Sequence, residues 1–421
     1  MSSEHIAVWV NMNRGIRSLI FTSMGHFSND GNFLLFPVLI TYYSLIPGIS
    51  LILLGAIAII YNALSGLLST PIGRFADRTD RDAFLLALGI GINGISVGAF
   101  AIPFLDYSLT VPSIVAGSVL LGLGQSFYHP IGATIITESF EKKAATRMLG
   151  INGSFGSIGR AVFPTIIVAV MLLFGDADGL FLIMFYLLIF ALIIYSGLRN
   201  FRRNPDRPKD EKSAAPVVNK SIVRKYSKFL YILTAVVFIR AMFLSGTITF
   251  VPAFLTSVYQ SRTLAVAIVT ISFVTAVFGQ PYFGSLTTRY GGRKIVTFTT
   301  MISGISFAFF LYFAADIILS GIFFAVFAFV TYSGFPVLLG YVGQVVPREI
   351  STTSNALVWG FGNTLGGAVG IAVIDGFKVF VSLYYSLTLM LVFALAAIIM
   401  LPLIPRADHI TESSKREKTP N

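Results

Sequence analysis

The chain has no cysteine, and only four histidines and two tryptophans among 421 residues. Without cysteine there can be no disulfide, no thiolate metal site and no cysteine nucleophile. The histidines (His5, His26, His129 and His409) show no ligand spacing along the chain, so no metal is expected. Charge is scarce too. Asp, Glu, Lys and Arg make up 12% of the residues, about half the share in an ordinary soluble domain. No glycine-rich phosphate loop ending in Lys-Ser or Lys-Thr occurs, which excludes an ATPase of the usual kind. No nucleophile and acid–base set stands near an aqueous face, so the reading contains no enzyme, no catalytic residue and no cofactor. The first residues lack the short apolar segment and small-residue cleavage site of a removable signal peptide.

What is present is apolar. Hydrophobic residues make up 55% of the chain, and the mean hydropathy is +0.81. That composition predicts an all-α polytopic membrane protein. Twelve transmembrane helices fit, at about 16–43, 50–74, 82–104, 109–138, 144–174, 179–200, 228–258, 263–288, 293–315, 318–346, 351–376 and 379–404. They are called spans 1 to 12 here. Residues 201–227 are rich in Arg, Lys, Pro and Ser and read as a flexible linker. The expected organisation is a six-helix bundle at 1–200, the linker, a second six-helix bundle at 228–404 and a tail at 405–421.

The net charge of +11 raises nucleic acid as a partner, and the placement of the charge argues against it. Basic residues fall at every second gap between apolar runs: Arg14 and Arg17, then Arg74, Arg78 and Arg81, then Lys142, Lys143 and Arg147, then the linker, Arg289, Arg293 and Lys294, Arg348 and the tail. The alternate gaps hold only Arg262 and Lys378. This is the positive-inside pattern, which puts both termini in the cytoplasm and the chain in the plasma membrane as a multi-pass protein. The basic residues then meet anionic lipid headgroups. A monomer suffices.

One design is used twice. The loop GRFADRTDRD at 73–82 returns in altered form as GSLTTRYGGRK at 284–294, so Gly73 and Gly284 lie 211 residues apart. Pro37 and Pro252 are 215 apart, Pro130 and Pro336 206, and Gly153 and Gly360 207. Four landmarks in one order at nearly one offset predict two pseudo-symmetric bundles. In transporters built this way the substrate site lies between the halves near the midplane.

These residues resemble the major facilitator superfamily over essentially the whole chain. The signature of that family between spans 2 and 3 is G-x-x-x-D-R-x-G-R-R. Gly73, Asp77, Arg78 and Arg81 match it, while Asp80 and Asp82 replace the later Gly and Arg. In the second copy Gly284, Arg289, Gly291 and Arg293 match, and Thr288 replaces the Asp. HFSND at 26–30, GLGQSFYHP at 122–130 and GSFGSIG at 153–159 are similar to the fosmidomycin-resistance branch of exporters. The chain departs from the family where its span 4 signature expects an Arg, since 109–121 has none. It departs again where the exporter signature of span 5 expects Gly-Pro and Gly159-Arg160 stands instead. The resemblance implies the major facilitator fold and a cytoplasmic gating brace. In that brace Asp77 meets the start of span 11 near Ser351 and Thr352, and Arg78 meets Glu138 or Glu141.

Ionisable residues deep in a membrane cost several kcal/mol, so each needs a partner or a task. His26 and Asp30 share one face of span 1 at i, i+4. Arg160 lies near the middle of span 5 and Arg240 near the middle of span 7. Asp30 suits a proton-coupling carboxylate assisted by His26, or a fixed ion pair with Arg160. Arg160 and Arg240 suit capture of an anionic group, because guanidinium grips carboxylate or phosphate with two hydrogen bonds. Gln125, Asn152, Trp359 and Asn363, with Tyr128 and Gln280, can offer hydrogen bonds or a stacking face to a ligand, or serve helix packing. His129 reads as a structural histidine beside Pro130, with proton transfer as the alternative. The function that follows is secondary active transport of a small organic anion by alternating access, driven by protons. A proton-antiporting drug exporter and a non-transporting sensor on the same scaffold are the rivals.

Overall fold

The computed structural model describes residues 3–79, 81–140, 142–203, 220–346 and 351–405. Among them there is no strand. The helices are α1 (Ser3–Phe33), α2 (Leu35–Tyr43), α3 (Leu51–Thr79), α4 (Asp82–Ala101), α5 (Thr110–Ser139), α6 (Lys142–Phe174) and α7 (Asp176–Leu198) in the first half of the chain. In the second half come α8 (Lys220–Tyr259), α9 (Arg262–Tyr290), α10 (Gly292–Tyr312), α11 (Ile317–Thr331), α12 (Gly334–Val345) and α13 (Ser351–Ala356). A π-helical segment (Leu357–Leu365), α14 (Gly366–Phe377) and α15 (Leu383–Met400) complete it.

Eleven segments among the described residues are long and apolar enough to cross a membrane. The twelfth expected span is α1 followed by α2. His26, Ser28, Asn29, Asp30 and Asn32 lower its hydropathy, and all five are buried; the first four have polar partners in the protein. Two expected spans are broken, each four residues before a proline. Pro37 has no N–H to give the Phe33 carbonyl and its ring crowds that carbonyl, so α1 ends at Phe33. Pro336 does the same to Tyr332, and α11 ends at Thr331. The expected linker at 201–227 and the tail at 405–421 lie mostly outside the described residues.

Within the first half, α1 packs on α5, α6 and α7, while α4 packs on α5 and α7, and α3 on α5. Within the second, α8 packs on α14, α15 and the π segment, α9 on α11 and α12, and α10 on α11 and α15. The main contacts between the halves are α6 on α9, α3 on the π segment and on α14, and α2 on α8. The last is an apolar seam where Pro37 and Pro252, matched in the sequence repeat, line one gap with Pro164 and Phe273.

The repeat reappears as geometry. Gly73 faces Pro130, and Gly284 faces Pro336. Asp82, the first residue of α4, takes two hydrogen bonds from Arg203 just past α7, at 2.6 and 2.9 Å. Arg293, 211 residues later, donates to the Pro402 carbonyl just past α15 at 2.9 Å. Each half thus ties the start of its third span to the end of its sixth. Arg17 of α1 adds a hydrogen bond to the Gly197 carbonyl at 2.6 Å, where a helix C-terminus favours positive charge.

Candidate functional site

Asp30 stands in the middle of the first half with four polar neighbours. Arg160 of α6 donates through Nη1 to its Oδ2, and His26 Nε2 lies 3.0 Å from the same oxygen. On Oδ1, Asn29 Nδ2 donates at 3.1 Å and His129 Nε2 of α5 lies 3.5 Å away. The local sequence explains the convergence. His26 and Asp30 are one helical turn apart, and Gly156 of α6 lies directly over them. A Cβ at Gly156 would come within 2.8 Å of the Asp30 carboxylate, so only glycine lets α6 approach closely enough to deliver Arg160.

Further hydrogen bonds fix these groups in place. His26 Nδ1 is 2.7 Å from the Asn152 amide oxygen, and the Tyr128 hydroxyl donates to the Thr22 carbonyl at 2.9 Å while lying 3.0 Å from Asn152. Gln125 donates to the Asn29 carbonyl at 2.7 Å, and Asn93 to the Asn29 amide at 3.3 Å. Ser157 accepts from Arg160 at 3.1 Å. These are fully buried bonds, and each removes a polar group that would otherwise be costly in an apolar bundle.

The second half of the chain closes over this cluster. Gln280 of α9 donates to Ser157 at 2.9 Å. The Tyr332 ring, at the break before α12, lies 4.8 Å from the Arg160 guanidinium, a cation–π distance. Trp359 of the π segment meets His129 with ring centroids 5.3 Å apart.

Arg240 of α8 is 3% exposed and differs from Arg160. Its Nη2 makes one long hydrogen bond to the Thr331 carbonyl at 3.4 Å, and its Nε has no partner. Among the described residues no carboxylate is within ion-pairing reach of it. Further buried polar atoms near the middle lack partners: the Tyr332 and Tyr61 hydroxyls, Gln280 Oε1 and Arg160 Nε.

Of the residues singled out from sequence, His26, Asp30, Arg160, Gln125 and Asn152 therefore fall in one network. Gln125 and Asn152 spend their hydrogen bonds inside it, and Trp359 reaches its edge. Arg240 lies on the second-half side, and Asn363 is half-buried in the π segment. The side chains of Asp77, Arg78, Ser351 and Thr352, and residue Glu141, lie outside the described residues, so the expected brace does too. Arg81 is exposed at the start of α4, and Arg289 lies 5.2 Å from the Tyr290 ring.

The structure adds that His129, the neighbour of Pro130, is also a member of the Asp30 cluster. Sequence spacing hid it because its partners are a hundred residues away on α1. His26, Asp30 and His129 together are also residue types that hold a metal, with ligand atoms within 4.8 Å of one another. The guanidinium of Arg160 already sits on Asp30, and a fixed positive charge on the shared carboxylate opposes a dication. The residues present fit a proton better.

The two basic residues of the alternate gaps meet at the end of the molecule away from the chain termini. The Arg262 guanidinium of α9 lies 4.2 Å from the Tyr42 ring of α2. Lys378, its side chain 5% exposed, pairs with Asp375 at 2.7 Å and donates to the Leu51 carbonyl of α3 at 3.0 Å. The Asp375 carboxylate rests on Gly55 of α3, where any Cβ would overlap it. Second-half side chains thus clamp first-half helices at this end.

The sequence profile described as Major Facilitator Superfamily matches residues 22–371 and 233–420. An uncharacterised MFS-type transporter, YfnC, of Bacillus subtilis strain 168 is 23% identical over 361 residues, covering 85% of this chain and 86% of that protein. The fosmidomycin resistance protein of Escherichia coli strain K12 is 20% identical over 358 residues, covering 84% of each.

Proposed function

The chain belongs to the Major Facilitator Superfamily, a family of transporters, and on that premise we propose that it carries a small organic anion across the plasma membrane by proton-coupled alternating access. Two six-helix bundles, 1–200 and 228–404, rock about the midplane, with both termini in the cytoplasm. Anionic headgroups meet the basic loops, and the monomer is the working unit.

Arg240 is the observation that carries the substrate reading. A buried guanidinium keeps its charge, and leaving it without a counter-charge costs several kcal/mol. Asp30, the buried carboxylate in the middle of the described bundle, is held by Arg160, which leaves Arg240 for an anion brought from outside. The unpartnered Tyr332 and Tyr61 hydroxyls and Gln280 Oε1 supply polar contacts for the rest of a small ligand.

Proton coupling follows from the same arrangement. An anion that draws Arg160 toward itself leaves Asp30 without its counter-charge and ready to take a proton. Proton and anion then favour each other's binding, and thermodynamic linkage makes that mutual. Asp77, Arg78 and Arg81, with Gly73, Gly284, Arg289 and Arg293, are the gating loops at the cytoplasmic rim.

An exporter of drugs is the second reading, favoured by the similarity to the fosmidomycin resistance protein. Fosmidomycin is itself a phosphonate, so both readings use the same arginine. The test is uptake of methylphosphonate and fosmidomycin by purified protein in liposomes, with thermal stabilisation as a measure of binding. Arg240→Gln is expected to weaken anion binding by about 10- to 100-fold, the loss of one or two charge-assisted hydrogen bonds. Unchanged affinity in a folded Arg240→Gln protein rules out the anion site, and absence of flux across anion and drug panels returns the chain to a sensor.

A further inference from the structure

The Asp30 cluster is sealed on nearly every side. Side-chain exposure is 1% for His26, 3% for Asp30 and 11% for Arg160, but 20% for His129. The His129 ring also touches the second half of the chain, through Trp359. The titratable and charged groups around it are Asp30 and His26 on α1, Arg160 on α6 and its neighbour Tyr128 on α5. From the second half it meets the uncharged indole.

We propose that His129 is the port through which protons reach Asp30, and that Trp359 is its lid. The inference rests on the proton-coupling reading above. A protonated His129 gives its Nε2 proton to the Asp30 carboxylate 3.5 Å away, after a small closure to hydrogen-bond distance. The ring returns to neutral imidazole and regains a proton from water in the cavity. Each cycle moves one proton from hydronium to Asp30 and leaves water and the imidazole unchanged.

The lid gives the port its timing. Trp359 lies in the π segment, which packs on α3 of the first half, and π-helical turns concentrate at functional positions. While the halves touch here, the indole packs against His129 and narrows the opening through which the proton on Asp30 could leave. When they part, the port opens on that side alone. Proton access thereby follows the same movement that admits substrate, which prevents protons from leaking through without cargo.

Two measurements need no substrate. The chain has two tryptophans, Trp9 and Trp359, so Trp9→Phe leaves Trp359 as the sole indole emitter. A protonated imidazole in ring contact quenches indole emission, so the fluorescence of Trp9→Phe is expected to fall on acidification. Adding His129→Gln should abolish that titration, and His26→Gln should leave it present. The second measurement is proton leak into liposomes under an imposed pH gradient, read with an internal dye. Trp359→Ala is expected to leak several-fold faster than the native protein, and Trp359→Ala with His129→Gln to return to the native rate. Thermal melts exclude unfolded variants.

A titration that survives His129→Gln, or a leak in Trp359→Ala that ignores His129→Gln, overturns the port. Failure of the underlying reading looks different: methylphosphonate uptake by the native protein would then ignore the pH gradient. If uptake does follow the gradient and is unchanged in His129→Gln, coupling stands and the port assignment falls.

Discussion

Asp82 stands where the family signature carries a basic residue, and its carboxylate is fully buried beneath Arg203. The reversal works because the partner is reversed as well. Asp82 occupies the first turn of α4, where the helix dipole favours negative charge, and Arg203 supplies two hydrogen bonds. Arg203→Ala is expected to destabilise the protein by about 2 kcal/mol, because it removes two charge-assisted hydrogen bonds from a buried carboxylate. Asp82→Asn in the Arg203→Ala background should recover part of that loss in a thermal melt. At this scale the sequence was a partial guide. Asp30, Arg160 and Arg240 were legible because an ionisable residue in an apolar run is conspicuous. Ser157 and Tyr332 were not, since hydroxyls and rings are ordinary in such helices, and the partners of His129 were not legible either. Only the crossing of α1, α5 and α6 reveals which of them face the carboxylate.

Among the elements, the prolines were visible in the sequence and their consequence was not. Pro37, Pro252 and Pro336 all sit in apolar spans, yet α8 runs through Pro252 while Pro37 and Pro336 end the helices before them. Tertiary packing decides whether the freed carbonyl is tolerated. The clamp opposite the chain termini is a further case. Arg262 and Lys378 were noticed as lone charges in otherwise neutral gaps. Asp375 lies one turn before Lys378, whereas Tyr42 and the Leu51 carbonyl come from helices far away in sequence. Gly55→Leu is expected to hold this end apart, because its side chain occupies the place of the Asp375 carboxylate. The cysteine-free chain makes the test clean: fluorophores on single cysteines at the exposed positions Leu45 and Phe380 should report a longer distance in Gly55→Leu than in the native protein. An unchanged distance shows that the contact does not keep this end closed.

For the molecule as a whole, two halves that each pack mainly on themselves are expected to survive separation of the chain. Cut between Asp210 and Glu211 and produced together, the two pieces should copurify and regain methylphosphonate uptake, whereas either piece alone should not transport. Pieces that fail to associate contradict two autonomous bundles. Hydropathy, the alternation of basic gaps and the repeat of about 211 residues determined by themselves that the chain is a helical membrane protein with a sequence pattern used twice. Those signals are local or periodic, and the membrane enforces them on any chain of this composition. Tertiary structure alone decided which polar groups share a site: Arg160 with Asp30, His129 beside them under Trp359, and Arg240 left without an anion. The reason is physical. Each partner lies on a different helix, and the angles at which close-packed helices cross are set by small residues such as Gly55 and Gly156, whose consequence appears only when a neighbouring helix lies against them.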